Sequence, residues 1–369
     1  VKERANVSLP LIGELVLTGG RPLLAILLAL IVGAGLILAY GASPLRAYAA
    51  MLDGSVGSVA AIANTGVRMA PLLLGGLGVA LGFQAGLLNV GVEGQIYLGA
   101  AAATAVALIP LPVPAGIHVT LAVIAGFLGG AAWGILPAYL KAFRGVSEIV
   151  ITLMLNYVAI QLASLLVHEP SPLAKKGAFY PQSPIILPSA RLPILIKGTS
   201  LHAGLLLGLA LGVLIFLALR YTPFGYRTRM VGQNPEAARY AGVKVRRQIV
   251  LVLLLSAGLG GLAGTGEVLG LKLALYDYFS GGLGYDCIAV ALMANSQPLG
   301  VMLTALFFGA LRAGAGKMQV AVGIETPIAQ VIQALAVLFV IAIGFGERKR
   351  IERKESQRGL EQEAVAHGG

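Results

Sequence analysis

The chain is divided by long runs of apolar residues, more of them than a globular interior can hold. Runs at 23–40, 58–82, 116–140, 148–167, 203–220, 248–271 and 327–345 each carry at most one charged residue. Three shorter or glycine-interrupted runs lie at 94–109, 285–296 and 298–313. A helix crossing a hydrocarbon layer of ~30 Å needs about 20 such residues. In lipid every backbone N–H and C=O must be paired within the protein, which leaves helices or a closed barrel. A barrel would show ten-residue segments of alternating polarity, and the sequence has none. The expected fold is therefore an all-α polytopic membrane protein of about ten transmembrane helices. No small-residue cleavage site follows Leu23–Tyr40, so that run reads as the first span rather than a removed signal.

Composition agrees. Of the 369 residues, 57% are hydrophobic and 12% are charged, against about 45–50% and about 25% in soluble domains. This excludes a disordered chain, which lacks apolar residues, and a soluble two-domain enzyme. The formal charge of +11 does not point to nucleic acid, because the bases stand between apolar runs. Fifty Gly and eighteen Pro suit membrane helices that pack closely or break. The single cysteine, Cys287, allows no intrachain disulfide.

The bases give an orientation. With ten spans and both termini inside, 18 of the 27 Lys and Arg fall on the cytoplasmic side and 8 outside, with Arg68 inside a span. That is the bias expected of cytoplasmic loops. The chain then divides into a cytoplasmic segment 1–22, a transmembrane domain 23–346 and a polar cytoplasmic tail 347–369. Two loops are long: a Pro-rich external loop 168–202 and a charged cytoplasmic loop 221–247. The spans hold Arg68 against Glu93, Glu148, Glu267 and Asp286, so the path is near neutral or mildly acidic. That disfavours an anionic solute.

Local chemistry places a short helix in the cytoplasmic loop. Asn234 is a good N-cap and Pro235 suits the first helical position. Glu236 puts a carboxylate at the positive helix end, and Gly242 fits the residue past the stop. The spacing predicts a helix over Pro235–Ala241. It reads either as a docking element for a soluble partner or as a plain surface connection between spans.

Three further features stand out. Segment Gly86–Gly94 combines three glycines with Asn89 and Glu93. Broken backbone at membrane depth is tolerated only when buried in protein or lining a wet cavity. Asn89 and Glu93 are expected near a solute path or its inner gate, or Glu93 caps a helix start by accepting backbone N–H bonds. Glu148, Thr152 and Asn156 recur every fourth residue, on one helix face. They line the path as a group or hydrogen-bond between helices singly. The four histidines show no metal-ligand spacing, no nucleophile–base constellation is visible, and no metal or other cofactor is expected in the chain. A phosphate loop is missing as well: around Gly316-Lys317 the first Gly and the final Ser/Thr are replaced by Leu311 and Met318.

Four strings carry a resemblance. Gly232-Gln-Asn-Pro-Glu-Ala-Ala followed by Gly242 resembles the coupling motif of ABC-importer permeases, and with Arg220-Tyr-Thr-Pro-Phe-Gly it is similar to the sugar, branched-chain amino acid and nucleoside permease family. Gly86-Leu-Leu-Asn-Val-Gly-Val-Glu-Gly-Gln-Ile-Tyr-Leu-Gly-Ala resembles a second signature of that family. Ser147-Glu-Ile-Val-Ile-Thr-Leu-Met-Leu-Asn-Tyr resembles its nucleoside branch. Gly284-Tyr-Asp-Cys-Ile-Ala-Val-Ala-Leu with Pro298-Leu-Gly resembles its late signature. Ser147, Gln233 and Asn295 depart from the pattern and bear on solute choice.

The resemblance implies a permease subunit of an ATP-driven importer in a prokaryotic cell membrane, moving nucleosides inward from a binding lipoprotein. It implies an inverted repeat, and a second, related permease chain, more readily a different chain than a copy. Cytoplasmic ATPase subunits would bind ATP and Mg and dock on Gly232, Asn234, Pro235, Glu236, Ala237, Ala238 and Gly242. The chain itself would not be an enzyme. Two other classes stay open on the residues alone. An ion-coupled transporter would use the acids Glu93, Glu148, Glu267 and Asp286, and a membrane enzyme would need a catalytic cluster.

Overall fold

A computed structural model describes residues 11–323, 327–328, 330–340 and 342, with side-chain surroundings from residue 24 onward. The described chain is helical, its only strand-like pairing being two isolated bridges, Gln182 with Tyr276 and Ile194 with His202. It forms two compact units, residues 1–47 with 322–369, and residues 48–321. The first unit carries α1 (Leu11–Ala39) and α14 (Gln330–Val340). Most of α2 (Pro44–Val56) belongs to the second unit, with α3 (Val59–Gln84), α4 (Val92–Ala107), α5 (Ala115–Trp133), α6 (Ile135–Tyr139) and α7 (Glu148–Val167). There follow α8 (Gly204–Tyr221), α9 (Pro223–Gln233), α10 (Pro235–Tyr240), α11 (Val245–Gly266), α12 (Leu283–Met293) and α13 (Pro298–Val322).

Among the described residues, six helices are long and apolar enough to cross a membrane: α3, α5, α7, α8, α11 with its continuation to Lys272, and α13. A seventh is gained if Leu24–Ala39 and Pro44–Val56 count as one broken span. The expected runs 94–109 and 285–296 become α4 and α12, of 16 and 11 residues. At 1.5 Å per residue α4 reaches about 24 Å, short of a full crossing. Run 327–345 lies partly outside the described residues. Helix α2 was not expected from the sequence. Arg312, counted among the outer-loop bases, lies inside α13 and pairs with Asp286.

Burial separates the helices. The apolar stretch of α3 is 89% buried within the protein, whereas those of α5, α7 and α8 are each 22% buried. A helix that is apolar all round and buried is a core helix, and the others turn their apolar residues outward. Small residues let the core close. A Cβ on Gly78 of α3 would stand 2.6 Å from the Ser256 carbonyl of α11. One on Gly130 of α5 would stand 2.7 Å from the Gly261 Cα of α11. Such backbone approach is how membrane helices gain packing contact without large side chains.

Helix α11 does not end where regular geometry would end it. The π-helical turn Glu267–Lys272 extends α11 and stops at Leu273, whose φ is +57°. The next ten residues run irregularly into α12. The Pro-rich loop lies over this stretch. Ser183 N–H donates to Leu275 O at 2.8 Å, Ile186 N–H to Leu273 O at 2.9 Å and Leu192 N–H to Leu269 O at 2.9 Å. An irregular backbone is thereby paired by a second irregular backbone.

Candidate functional site: a capped helix joined to a polar core

The loop between α8 and α11 folds as two short helices. Thr222 precedes α9, with Pro223 at its first position. Asn234 ends α9 and caps α10: its Oδ1 accepts the N–H groups of Glu236 and Ala237, both at 3.0 Å. Pro235 occupies the first turn, where its missing N–H costs nothing. The C-terminus is a Schellman arrangement. Gly242, at φ +81°, donates to Arg239 O at 3.0 Å, and Val243 donates to Ala238 O at 2.9 Å. Ala238 is fully buried in a small cluster with Val231 and Val245. Glu236, Ala237, Arg239 and Tyr240 are exposed. The helix thus has one apolar foot and an exposed charged and aromatic back.

Gly232 fixes where this unit sits. A Cβ there would press on the Gln84 carbonyl and stand 2.9 Å from both Ala85 C and Gly86 N. Gly86 itself has φ +69°, so the turn after α3 lies backbone to backbone against the end of α9. A shallow open cleft of about 280 Å³ lies beside this contact, lined by Phe83, Gln84, Arg229, Gly232, Gln233, Asn295 and Ser296. Across it Gln84 Nε2 donates to Ser296 O at 3.0 Å. Asn295 and Ser296 both have positive φ. The end of α9 therefore lies against the irregular segment that leads into α4, and beside the one that follows α12.

From this turn the segment 85–91 runs into the buried polar core. Asn89 and Gln95 exchange amide hydrogen bonds at 3.0 Å in both directions. Asn89 Nδ2 also donates to Ser256 Oγ at 2.8 Å, and Ser256 donates to Gly78 O at 2.6 Å. One network thereby ties the segment to α4, α11 and α3. The α7 face meets the same segment. Glu148 accepts Leu88 N–H at 3.2 Å and pairs with Lys141 at 2.6 Å. Thr152 closes on Gly91, where a Cβ would stand 2.9 Å from the threonine Cβ. Asn156 accepts Gly94 N–H and donates to Val90 O, both at 2.9 Å.

Glu93 has its partners far along the chain. Its Oε2 accepts Gly284 N–H at 2.6 Å and its Oε1 accepts Gly282 N–H at 3.3 Å. A carboxylate therefore sits on the positive end of α12, satisfying N–H groups that the helix itself cannot.

The structure brings all five expected path residues, Asn89, Glu93, Glu148, Thr152 and Asn156, around one segment, and all five are buried. Their polar atoms are directed at backbone and at Gln95, Ser256 and Lys141. Of the readings left open by the sequence, Glu93 has the capping geometry, toward α12 rather than its own helix. On the α7 stripe, Glu148 and Asn156 bond to residues 88–94, whereas Thr152 donates within its own helix, to Glu148 O at 2.7 Å and Ile149 O at 3.2 Å. Ser256 and Lys141 belong to the same network and were missed. Ser256 is the one polar residue in the run Ile249–Leu255 and beyond to Gly264, which is a usable signal.

A second layer of polar residues lies in front. Tyr157 and Gln161 of α7 and Tyr278 and Tyr285 before and within α12 are exposed. Gln161 Nε2 donates to the Tyr278 hydroxyl at 3.3 Å. Tyr285 reaches the Asn156 side chain and lies within electrostatic range of Glu93 and Tyr157. Beside it, Asp286 pairs with Arg312. Arg68, exposed on α3, lies within range of Glu267 and Arg312.

Residues 61–342 match the family described as "Branched-chain amino acid transport system / permease component". The chain belongs to this permease family. Three curated relatives align along most of its length. The glucose ABC transporter permease protein TsgB13 of Haloferax volcanii is 35% identical over 95% of this chain and 94% of its own. The guanosine ABC transporter permease protein NupP of Bacillus subtilis is 34% identical over 86% and 92%. The nucleoside ABC transporter permease protein NupB of Lactococcus lactis is 30% identical over 88% and 90%. No solved structure matches. The permease is a multi-pass membrane subunit of an ABC importer and not itself an enzyme, because in this family ATP is hydrolysed on a separate subunit. Nothing supports the ion-coupled alternative.

Proposed function

We propose that this permease moves nucleosides inward, from an extracytoplasmic binding lipoprotein to the cytoplasm, powered by ATPase subunits that dock on the α9–α10 unit. The observation that carries the coupling role is the backbone contact between Gly232 and the Gln84–Gly86 turn. A force applied to the exposed back of α10, at Glu236, Ala237 and Tyr240, passes through Asn234, Pro235 and the buried Ala238 to that contact. From there it reaches the segment holding Asn89 and Glu93. The long α8–α11 connection is a docking element in this reading, with Gly242 shaping the end of α10.

The reading places both termini in the cytoplasm, with ten spans in place of the six or seven recognised by length. It also includes an inverted repeat. In its favour, α3 and α11 each run through the core into an irregular segment and then a short helix, α4 and α12. Glu93 at the start of one short helix caps the start of the other. A second, related permease chain completes the path. The solute class rests on the relatives named for guanosine and nucleosides, and on a core in which neutral amides and hydroxyls outnumber ions.

The test is uptake in proteoliposomes holding the full complex of two permeases, ATPases and binding lipoprotein. Labelled guanosine, adenosine, glucose and leucine are supplied in parallel. ATP-dependent accumulation of the nucleosides is expected. Accumulation of glucose or leucine without nucleosides would overturn the solute assignment. Accumulation driven by an ion gradient without ATPase would overturn the importer assignment.

A further inference from the structure

The second polar layer has chemistry that the scaffold behind it lacks. Tyr157 is at the middle of the twenty-residue α7 and is 61% exposed. Tyr278 is 54% exposed and Tyr285 42% exposed, and Gln161 is exposed one turn beyond Tyr157. Tyrosine on a membrane protein concentrates at the water interface, and exposed amides at mid-span are costly against lipid. Polar groups at this depth face protein or a water-filled cavity. This face is therefore not a lipid surface.

The layer is also backed by a fixed support. Asn156, which Tyr285 reaches, is fully buried and already committed to Gly94 N–H and Val90 O. Glu93 is committed to the start of α12. The groups in front are three flat phenol rings and one amide, with no formal charge among them. Rings offer stacking area at low entropic cost. The hydroxyls and the amide offer neutral donors and acceptors. A planar, uncharged heteroaromatic ring with a hydrogen-bonding edge fits that set, because any base has a π-face that stacks on an aromatic side chain.

We propose that the face formed by Tyr157, Gln161, Tyr278 and Tyr285 is the solute-contacting wall of the path and that it takes the base of the nucleoside. This rests on the function proposed above and deepens it. The buried residues Asn89, Glu93 and Asn156 are positioning residues behind the wall. Stacking on Tyr157 and Tyr285 supplies affinity for bases in general, and the edge contacts of Gln161 and Tyr278 select among them.

The experiment uses the complete reconstituted complex and a photoactivatable guanosine, 8-azidoguanosine, with labelled peptides mapped by mass spectrometry. Label is expected on α7 around 157–161 and on 278–285, and excess guanosine should suppress it. In the same complexes Tyr285→Phe, which keeps the ring, should recover most of the KM rise seen in Tyr285→Ala. Tyr285→Ala and Tyr157→Ala should raise KM at least about tenfold. Gln161→Leu should change the guanosine-to-adenosine preference severalfold with assembly unchanged on gel filtration. A merely structural role would move assembly and not base preference. Three results would overturn the proposal. In the first, label falls elsewhere on a complex that still transports nucleosides, which leaves the function standing. In the second, Tyr157→Cys and Tyr285→Cys variants cross-link to the partner permease and no label is seen, which makes the face a subunit interface. In the third, glucose is transported and nucleosides are not, which removes the function and the wall together.

Discussion

Gly232→Ala isolates the joint between docking and transport. The new methyl would press on the Gln84 carbonyl and stand 2.9 Å from Ala85 C and Gly86 N. Carbon–carbon contacts are comfortable from about 3.5 Å, so α9 or the turn must retreat by at least roughly 0.6 Å, and further at the Gln84 carbonyl, the nearest atom. Neither neighbour is a flexible side chain that can swing aside. Overpacking of this kind costs about 1–3 kcal/mol, which shifts the balance between a seated and an unseated α9 by about 5- to 150-fold. The caps of α10 are untouched, so ATPase docking and the fold should survive. The assay is the ratio of guanosine taken up to ATP hydrolysed in proteoliposomes, with complex stoichiometry checked on gel filtration. Gly232→Ala should lower that ratio several-fold while ATPase remains bound. Gly242→Ala is the companion variant. Its site is open space but has φ +81°, so it costs about 1–2 kcal/mol by conformation alone and should loosen ATPase binding instead. A wild-type uptake ratio in Gly232→Ala would refute the idea that force passes through this contact.

Three other outcomes follow from the same geometry. Asn234→Ala removes the acceptor of two N–H groups and should cost the α10 helix about 1 kcal/mol, read as faster amide exchange over 235–241 that Asn234→Asp does not show. Glu93→Gln puts an NH₂ where an oxygen now accepts from α12, and should lower the melting temperature of the solubilised complex by a few degrees, more than Glu236→Gln does; equal melting temperatures would remove the capping role. His202 is buried, packs on Gly270 and accepts Gly204 N–H at 3.2 Å through Nδ1. Burial pushes its pKa down from 6.5 to about 4. The unfolded state therefore binds a proton first, and the neutral imidazole's contribution is complete above pH 6.5 and lost as pH falls toward 4. The loss should reach about 2–3 kcal/mol near pH 4.5 and be absent in His202→Gln, as measured by thermal unfolding at stepped pH.

Much of this protein was legible from local chemistry. Hydropathy located the helices α3, α5, α7, α8, α11 and α13, because burial in lipid is decided segment by segment. The caps of α10 were legible to within one residue, because Asn234, Pro235 and Gly242 act on their own neighbours. The stripe Glu148, Thr152 and Asn156 was legible as one face, because helical periodicity alone puts it there.

What the stripe faces was not legible, nor was the partner of Glu93. An amide or carboxylate displays its donors and acceptors in the sequence, but not which distant backbone will meet them. Gly282 and Gly284 stand 189 and 191 residues beyond Glu93. The tyrosine layer was missed for the same reason, since Tyr157 and Tyr278 look ordinary until packing leaves both exposed. The sequence by itself determined that the chain is a helical membrane permease with a capped loop, since transfer energy and capping are short-range. Only the tertiary structure decided that Gly232 touches the Gly86 turn and which distant backbone groups the buried polar residues bond. Those facts depend on which backbones approach each other, and small residues permit such an approach without specifying the partner.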